Sequence, residues 1–348
     1  MTSDGSSSVS GAALPVAAVL LSVVLWSTTY GLSAIALVTA SPAVLSELRL
    51  VLAVPPLLVL ILLGARPRVA AVLRALRRPR TIVLALTGVA LFSLPSNIGL
   101  TQTTAGTASL MSASLPVLTA LIAWRLLGER MTRRVLMGLT LTTAGIVVSA
   151  VGAVDLGTGA ALIVAGLASY ALYTVLLRRA GSTPEIPSGP STSATAATAT
   201  DAAATDAAAT DAAADADPLV VATATAVWGA VLLAPWLLFE VATGSAAWPS
   251  TGAGWAAVAF LGLVVTGPTM ALFTYGAERV PAAVSGTATG AVPALGYAFA
   301  VALGEPVDAV KVVGGALALV GIVVAAVPQR TTRPPRGTRS RQMLPVNR

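Results

Sequence analysis

"LGERMTRRVLMGLTLTTAGIVVSAV", Leu127–Val151, and "LGEPVDAVKVVGGALALVGIVVAAV", Leu303–Val327, are one segment written twice. At a constant shift of 176, Leu127, Gly128, Glu129, Gly138, Leu141, Gly145, Ile146, Val147, Val148, Ala150 and Val151 all recur. Ser109 returns as Ser285 at the same shift, and Pro116 as Pro293 one residue out of step. Earlier in the chain "LWSTTYGL" around Trp26 answers "SYALYTVL" around Tyr170 with a shift of 144. The two shifts, 176 against 144, differ by 32, about the length of an acidic Thr/Asp/Ala tract in residues 181–217, so that tract reads as an insertion into the second copy. An internal repeat of this size makes the fold a duplicated unit.

The unit is a set of membrane spans. Of the 348 residues 56% are apolar and 10% charged, with a mean hydropathy of +0.85, far outside the usage of water-soluble domains. Apolar runs long enough to cross ~30 Å of hydrocarbon as a helix recur throughout. We read ten: Pro15–Leu37, Ala43–Leu63, Thr81–Leu100, Ala105–Leu127, Val135–Val154, Gly159–Leu177, Pro218–Phe239, Gly254–Gly276, Pro281–Leu303 and Val310–Val327. Residues 1–14 form a polar N-terminal tail without a basic residue, 15–154 the first repeat, 159–327 the second, and 328–348 a basic tail. The first apolar run is longer than a signal-peptide core and is kept as a span. "TDAAATDAAATDAAADAD" inside 181–217 spaces its aspartates by five, which walks them around a helix; with no core to bury, it reads as an acidic, disordered linker.

Five spans per copy is an odd number, so the copies enter the membrane from opposite sides. The expected fold is an all-α integral membrane protein of ten transmembrane helices in two inverted five-helix repeats. That architecture is used by secondary transporters, with a site near the bilayer midplane. Gly138 and Gly145, like Gly314 and Gly321, are seven apart and share one helix face; close helix packing accounts for them, and for Gly286 and Gly290.

The arginines orient the array. Arg66, Arg68, Arg74, Arg77, Arg78 and Arg80 follow the second span, Arg125, Arg130, Arg133 and Arg134 flank the fourth loop, Arg178 and Arg179 end the sixth span, Arg279 follows the eighth, and six more lie in the tail. With both termini inside, all fall on the cytoplasmic side of the cell membrane. The opposite loops carry Asp155, Glu240, Glu305, Asp308 and Lys311, which is the sole lysine. The formal charge of +7 is thus a topology signal, and a nucleic-acid partner is not expected.

"PVLTALIAWRLLGERMT" and "PALGYAFAVALGEPVD", each leading into a Gly-bearing helix that ends in GIVV, resemble the drug/metabolite transporter superfamily, and within it the ten-helix bacterial transporters built of two EamA domains. The likeness covers nearly all of the chain outside tails and linker. Trp26, Pro42 followed by Arg49, and the glycine–glutamate turns sit where that pattern puts them; Tyr170 replaces its usual tryptophan and Pro306 its usual basic residue. The resemblance implies export of a small metabolite, amino-acid-like or drug-like compound, with no enzymatic step.

One arginine is left over from the topology count. Arg49 lies about seven residues inside the second span, ~10 Å from the outer face at 1.5 Å per residue. A charge at the centre of a span costs about 2.5 kcal/mol or more on insertion scales unless it faces a polar interior. Arg49 is therefore expected to point into the bundle and to meet an anionic part of a substrate, the structural alternative being a tie to helix carbonyls or to Glu47, or snorkelling outward. Glu47 is the carboxylate in this region available for proton coupling, the alternative being a solvated helix start. The remaining candidate substrate-binding residues are Trp26, Thr29 and Tyr30 in the first span, Asn97 in the third, Ser112 in the fourth, Tyr170 and Tyr173 in the sixth, Tyr275 at the end of the eighth and Tyr297 in the ninth. Glu129 and Glu305, after glycines between spans, are read as turn and capping residues, and Pro116 and Pro293 as joints.

Whole chemistries are excluded. There is no cysteine and no histidine, which removes disulfides, thiolate sites and the commonest metal ligand, so neither metal nor cofactor is expected. A phosphate-gripping Gly-Lys-Ser/Thr loop is ruled out because Lys311 stands between valines. Transport would run on an existing gradient, with proton exchange as the expected coupling. The expected partners are a small-molecule substrate and the lipid bilayer, with a homodimer left as a further assembly to test. The rival readings are an anionic-solute exchanger or importer of the same fold, and a non-transporting membrane scaffold.

Overall fold

The computed structural model describes residues 7–64, 67–129, 131–152, 157–181 and 217–326. The expectations for most of the acidic tract, for the basic tail and for Arg66, Arg130 and Asp155 lie outside the described residues. Among the described residues there is no strand, and helices occupy all ten places at which the hydropathy puts spans. They are α1 (Ser7–Ser27 continued by Thr29–Leu37), α2 (Pro42–Leu63), α3 (Pro79–Leu100), α4 (Ala105–Leu127), α5 (Arg133–Gly152), α6 (Thr158–Gly181), α7 (Pro218–Ala242), α8 (Gly252–Ala277), α9 (Ala282–Gly290 continued by Val292–Ala302) and α10 (Ala309–Ala326). A short helix, Pro67–Leu76, joins α2 to α3. Among the described residues, eight of these helices are long and apolar enough, by length and composition, to cross a membrane. Large apolar side chains such as Leu21, Val59, Leu63, Leu238 and Val313 cover the outside, as a bundle surrounded by lipid requires.

Helix α1 starts at Ser7, well before Pro15, so part of the segment read as a polar tail is helical and the proline lies inside. At the other end of the insertion, Asp217 belongs to the fold. Its carboxylate accepts from Leu219 N–H at 2.9 Å, capping α7, and pairs with Arg68 Nε at 2.7 Å.

In lipid, helices gain little from burying apolar area against one another, so small residues that let backbones touch decide which pairs form. Helices α5 and α10 run antiparallel with their glycines interleaved. A Cβ at Gly138 would lie 2.6 Å from Gly321 O, and one at Gly145 would lie 2.5 Å from Gly314 O. Thr142 Oγ1 lies 3.3 Å from Ala318 O across this seam. The same construction appears twice elsewhere. In α3 against α6, Gly99 abuts Gly159 O and Ile163; in α8 against α1, Gly276 abuts Pro15 O and Val19. Adding 144 to Pro15 and Val19 gives Gly159 and Ile163, the shift found between the copies in sequence.

The remaining repeat-related helices also meet head to tail. The start of α2 is held by the end of α7: Glu240 accepts from Ser41 Oγ, from Trp236 Nε1 at 3.2 Å and from Ala43 N–H at 3.4 Å. Arg68 and Asp217 join their opposite ends. The start of α4 meets the end of α9, where Gly296 sits against Ser109 and Gly106 against the Tyr297 ring. Both Glu305 carboxylate oxygens lie 3.1 Å from Gly106 N–H, so this glutamate caps α4. Its mate Glu129 is 54% exposed and lies 4.0 Å from Arg178. Glu305→Ala leaves the Gly106 N–H without its acceptor. It should lower stability by about 1 kcal/mol, read as a lower thermal midpoint of the detergent-purified protein; an unchanged midpoint would assign the cap no weight.

Candidate functional site

Between the two halves lies a cavity of about 610 Å³, within the usual range for small-molecule sites. Seven of the candidate substrate-binding residues line it: Trp26, Thr29, Tyr30, Arg49, Ser112, Tyr170 and Tyr173. They arrive there because several helices are interrupted at its level.

In α1 the regular helix stops at Ser27 and resumes at Thr29. The Ser27 and Thr28 hydroxyls turn back onto Val24 O and Leu25 O, each at 2.7 Å, so the helix satisfies itself through the irregular turn while Trp26, Thr29 and Tyr30 face the cavity. In α8 the backbone widens into a π-helical turn over Leu261–Thr266. Pro268 has no N–H for Val264 O, and Thr269 Oγ1 supplies that bond instead at 2.8 Å. Thr266 Oγ1 reaches five residues back to Leu261 O at 2.7 Å and in turn accepts from Arg49 Nε at 2.7 Å. Gly262 lets α2 come this close, since a Cβ there would sit 2.5 Å from Leu52 Cβ and 2.9 Å from Arg49 O. Arg49 is thus tied to the opposite half through a hydroxyl, and among the described residues no acidic side chain pairs with it.

A second π-helical turn, Leu86–Ala90 in α3, stands in the corresponding place of the first copy. Ser169 of α6 donates to Thr87 O at 2.8 Å, and the Tyr173 ring lies where a Cβ at Gly88 would be, 2.5 Å from its nearest atom. Rings then follow one another along this wall, Tyr173 to Tyr170 at 5.4 Å and Tyr170 to Phe92 at 5.1 Å between centroids. π-turns of this kind recur at functional sites, because they redirect side chains without breaking the helix. Helices α4 and α9 are interrupted one turn ahead of Pro116 and just ahead of Pro293, as proline's missing N–H leads one to expect, and both prolines line the cavity.

Four expected residues lie elsewhere. Asn97 donates to Ser46 Oγ at 2.8 Å and joins α3 to α2, since an amide in a helix interface takes the neighbouring hydroxyl. Tyr297 turns away to accept from Asp308 N–H at 2.9 Å, bracing the loop after α9. Tyr275 lies at the end of α8 beneath the Arg279 guanidinium, 4.3 Å from ring centroid to Cζ. Glu47 is not part of the cavity lining; its Oε2 is buried and has no hydrogen-bond partner among the described residues. The reading of Gly286 as a packing residue also changes, because a Cβ there would meet nothing within 4 Å and the position faces the cavity.

Thr225, Thr266 and Thr289 line the cavity and were missed. One of them had a signal: adding 176 to Arg49 gives Thr225, so the repeat itself points to it. For Thr266 and Thr289 the sequence carries none.

Comparison with known proteins agrees with this architecture. The pattern of the EamA-like transporter family matches residues 13–151 and 193–327, and the chain belongs to that family. It is 26% identical over 258 residues to the "Uncharacterized transporter YetK" of Bacillus subtilis (strain 168), covering 72% of this chain and 68% of that protein. It also superposes on a solved crystal structure with a TM-score of 0.59 at 20% identity, over 89% of this chain and 96% of the other, a likeness of fold alone. The protein is a multi-pass membrane transporter by family.

Proposed function

We propose that the chain is a secondary active exporter of a small metabolite, amino-acid-like or drug-like compound in the cytoplasmic membrane, working by alternating access with all ten helices as spans and both termini inside. The observation that supports this most directly is the pair of matching joints, Gly99 on Gly159 and Ile163 in one place and Gly276 on Pro15 and Val19 in the other, together with a cavity that both halves line. Two halves joined by equivalent contacts can exchange their roles at the two membrane faces, which is what alternation around a fixed central site needs. Proline-interrupted α4 and α9 supply joints beside that site.

The test is reconstitution of the full chain in liposomes. Transport predicts saturable, gradient-driven movement of a bound compound and its exchange across the bilayer; passive, non-saturating leakage would leave the scaffold reading. Arg49, with no acidic partner among the described residues, favours one variation, an exchanger or importer of anionic solutes, which predicts uptake driven by a counter-anion without a pH gradient. Glu47, half-buried, with its Oε2 buried and unpartnered among the described residues, is assigned the coupling proton. Glu47→Gln should remove the acceleration by an imposed pH gradient, at least 10-fold, while solute exchange at equal pH continues; equal acceleration in both proteins would free Glu47 from that role.

A further inference from the structure

We propose that the cavity takes compounds that join one planar aromatic ring to a single carboxylate, and discriminates against their neutral and cationic analogues. This rests on the reading of the cavity as the transport site and names its substrate class.

The charge of the lining comes first. Among the residues that line the cavity, Arg49 is the one that is ionised, and no aspartate or glutamate joins it. A cationic guest would face an uncompensated like charge in surroundings where water screens poorly. A monoanion cancels the Arg49 charge, whereas a dianion such as a phosphate monoester would carry in a second charge with no partner.

The geometry of the guanidinium comes next. Its Nε is committed to Thr266, itself fixed to Leu261 O, so the plane of the group is set by the protein. Among the described residues no partner accepts from the two terminal nitrogens, which leaves the forked edge for a guest. That edge matches the two oxygens of a carboxylate. Tyr30, in the same lining, holds a buried hydroxyl without a hydrogen-bond partner among the described residues, a second donor for an anion.

The rest of the lining is made for a ring. Phe92, Tyr170 and Tyr173 present a run of tilted rings, and Trp26, also in the lining, packs at a tilt on Phe273 behind it, 4.8 Å between centroids. Aromatic guests gain tilted or offset contacts on such a wall, while an aliphatic acid of equal charge does not. An aromatic acid therefore uses both features, and each of its analogues loses one.

Binding to the full chain in lipid nanodiscs, by titration calorimetry, tests this without reference to flux. The probes are benzoate, phenylacetate and indole-3-acetate, with indole-3-acetamide as the neutral partner, tryptamine as the cationic partner and butyrate as the acid without a ring. At least one aromatic acid should bind saturably, and indole-3-acetate should bind at least 10-fold tighter than the amide, tryptamine or butyrate. Arg49→Gln should bring acid and amide to within about 2-fold, and Arg49→Lys should retain part of the preference; the comparison within the wild-type protein needs no variant to fold. Tryptamine or the amide binding as tightly as the acid, butyrate matching it, or no binding by any of the three aromatic acids overturns the proposal. Selective binding without movement across liposomes would instead overturn the transport reading and leave the substrate class standing. Flux without this selectivity would do the reverse.

Discussion

Gly314→Val in α10 should leave little folded protein. The new side chain begins with a Cβ that would sit 2.5 Å from Gly145 O and 2.5 Å from Ser149 N, both backbone atoms of α5 and unable to step aside. Overpacking a well-fitted site costs about 1–3 kcal/mol when side chains can yield, and more where they cannot. The loss should appear as a collapsed monodisperse peak on size exclusion after detergent extraction. Gly315→Val is the matched control: one residue on, the atom in the way is the Cδ2 of Leu110, the far end of a flexible side chain. Equal yields from the two variants would mean that the α5–α10 seam does not hold the halves together.

Arg49→Ala should reduce gradient-driven flux in liposomes to the level of empty vesicles, with the protein still folded. Hydrogen bonds to a charged group contribute about 1.5–3 kcal/mol, so an anionic guest should lose roughly 10- to 100-fold in affinity. Thr266→Val, which removes the acceptor for Arg49 Nε but keeps the charge, should fall between wild type and Arg49→Ala. Arg49→Lys should keep part of the flux, since it keeps the charge and loses the fork. Flux that is unchanged in Arg49→Ala would remove this residue from the mechanism.

The helices and their duplication were legible because both are written in composition. An apolar run of twenty residues has few other meanings, and Gly138, Gly145, Gly314 and Gly321 repeat at a spacing that only a shared helix face explains. Arg49 was legible for the opposite reason, as the residue that did not belong. Hydroxyls and amides carry no such mark. Thr266 reaches Arg49 because α8 widens by a π-turn, and each inserted residue rotates everything after it by roughly 100° around the helix. No periodicity in the sequence announces that turn. Asn97 and Tyr297 looked like Tyr170 and Tyr173 in sequence, and only the neighbours differ: Ser46 and the Asp308 backbone take the first two, and the cavity takes the others.

The two glycine joints also limit how the protein can be made sturdier. Replacing glycine by alanine in a helix commonly gains about 0.4–1 kcal/mol by narrowing the choices of the unfolded chain. At Gly99 and Gly276 that route is closed, because the added methyl would run into a carbonyl oxygen of the facing helix at 2.5 and 2.6 Å. Gly157 and Gly252 stand at the starts of α6 and α8 with open space where a methyl would go, so a thermostable variant for structural work is better sought at these helix entrances than at the crossings.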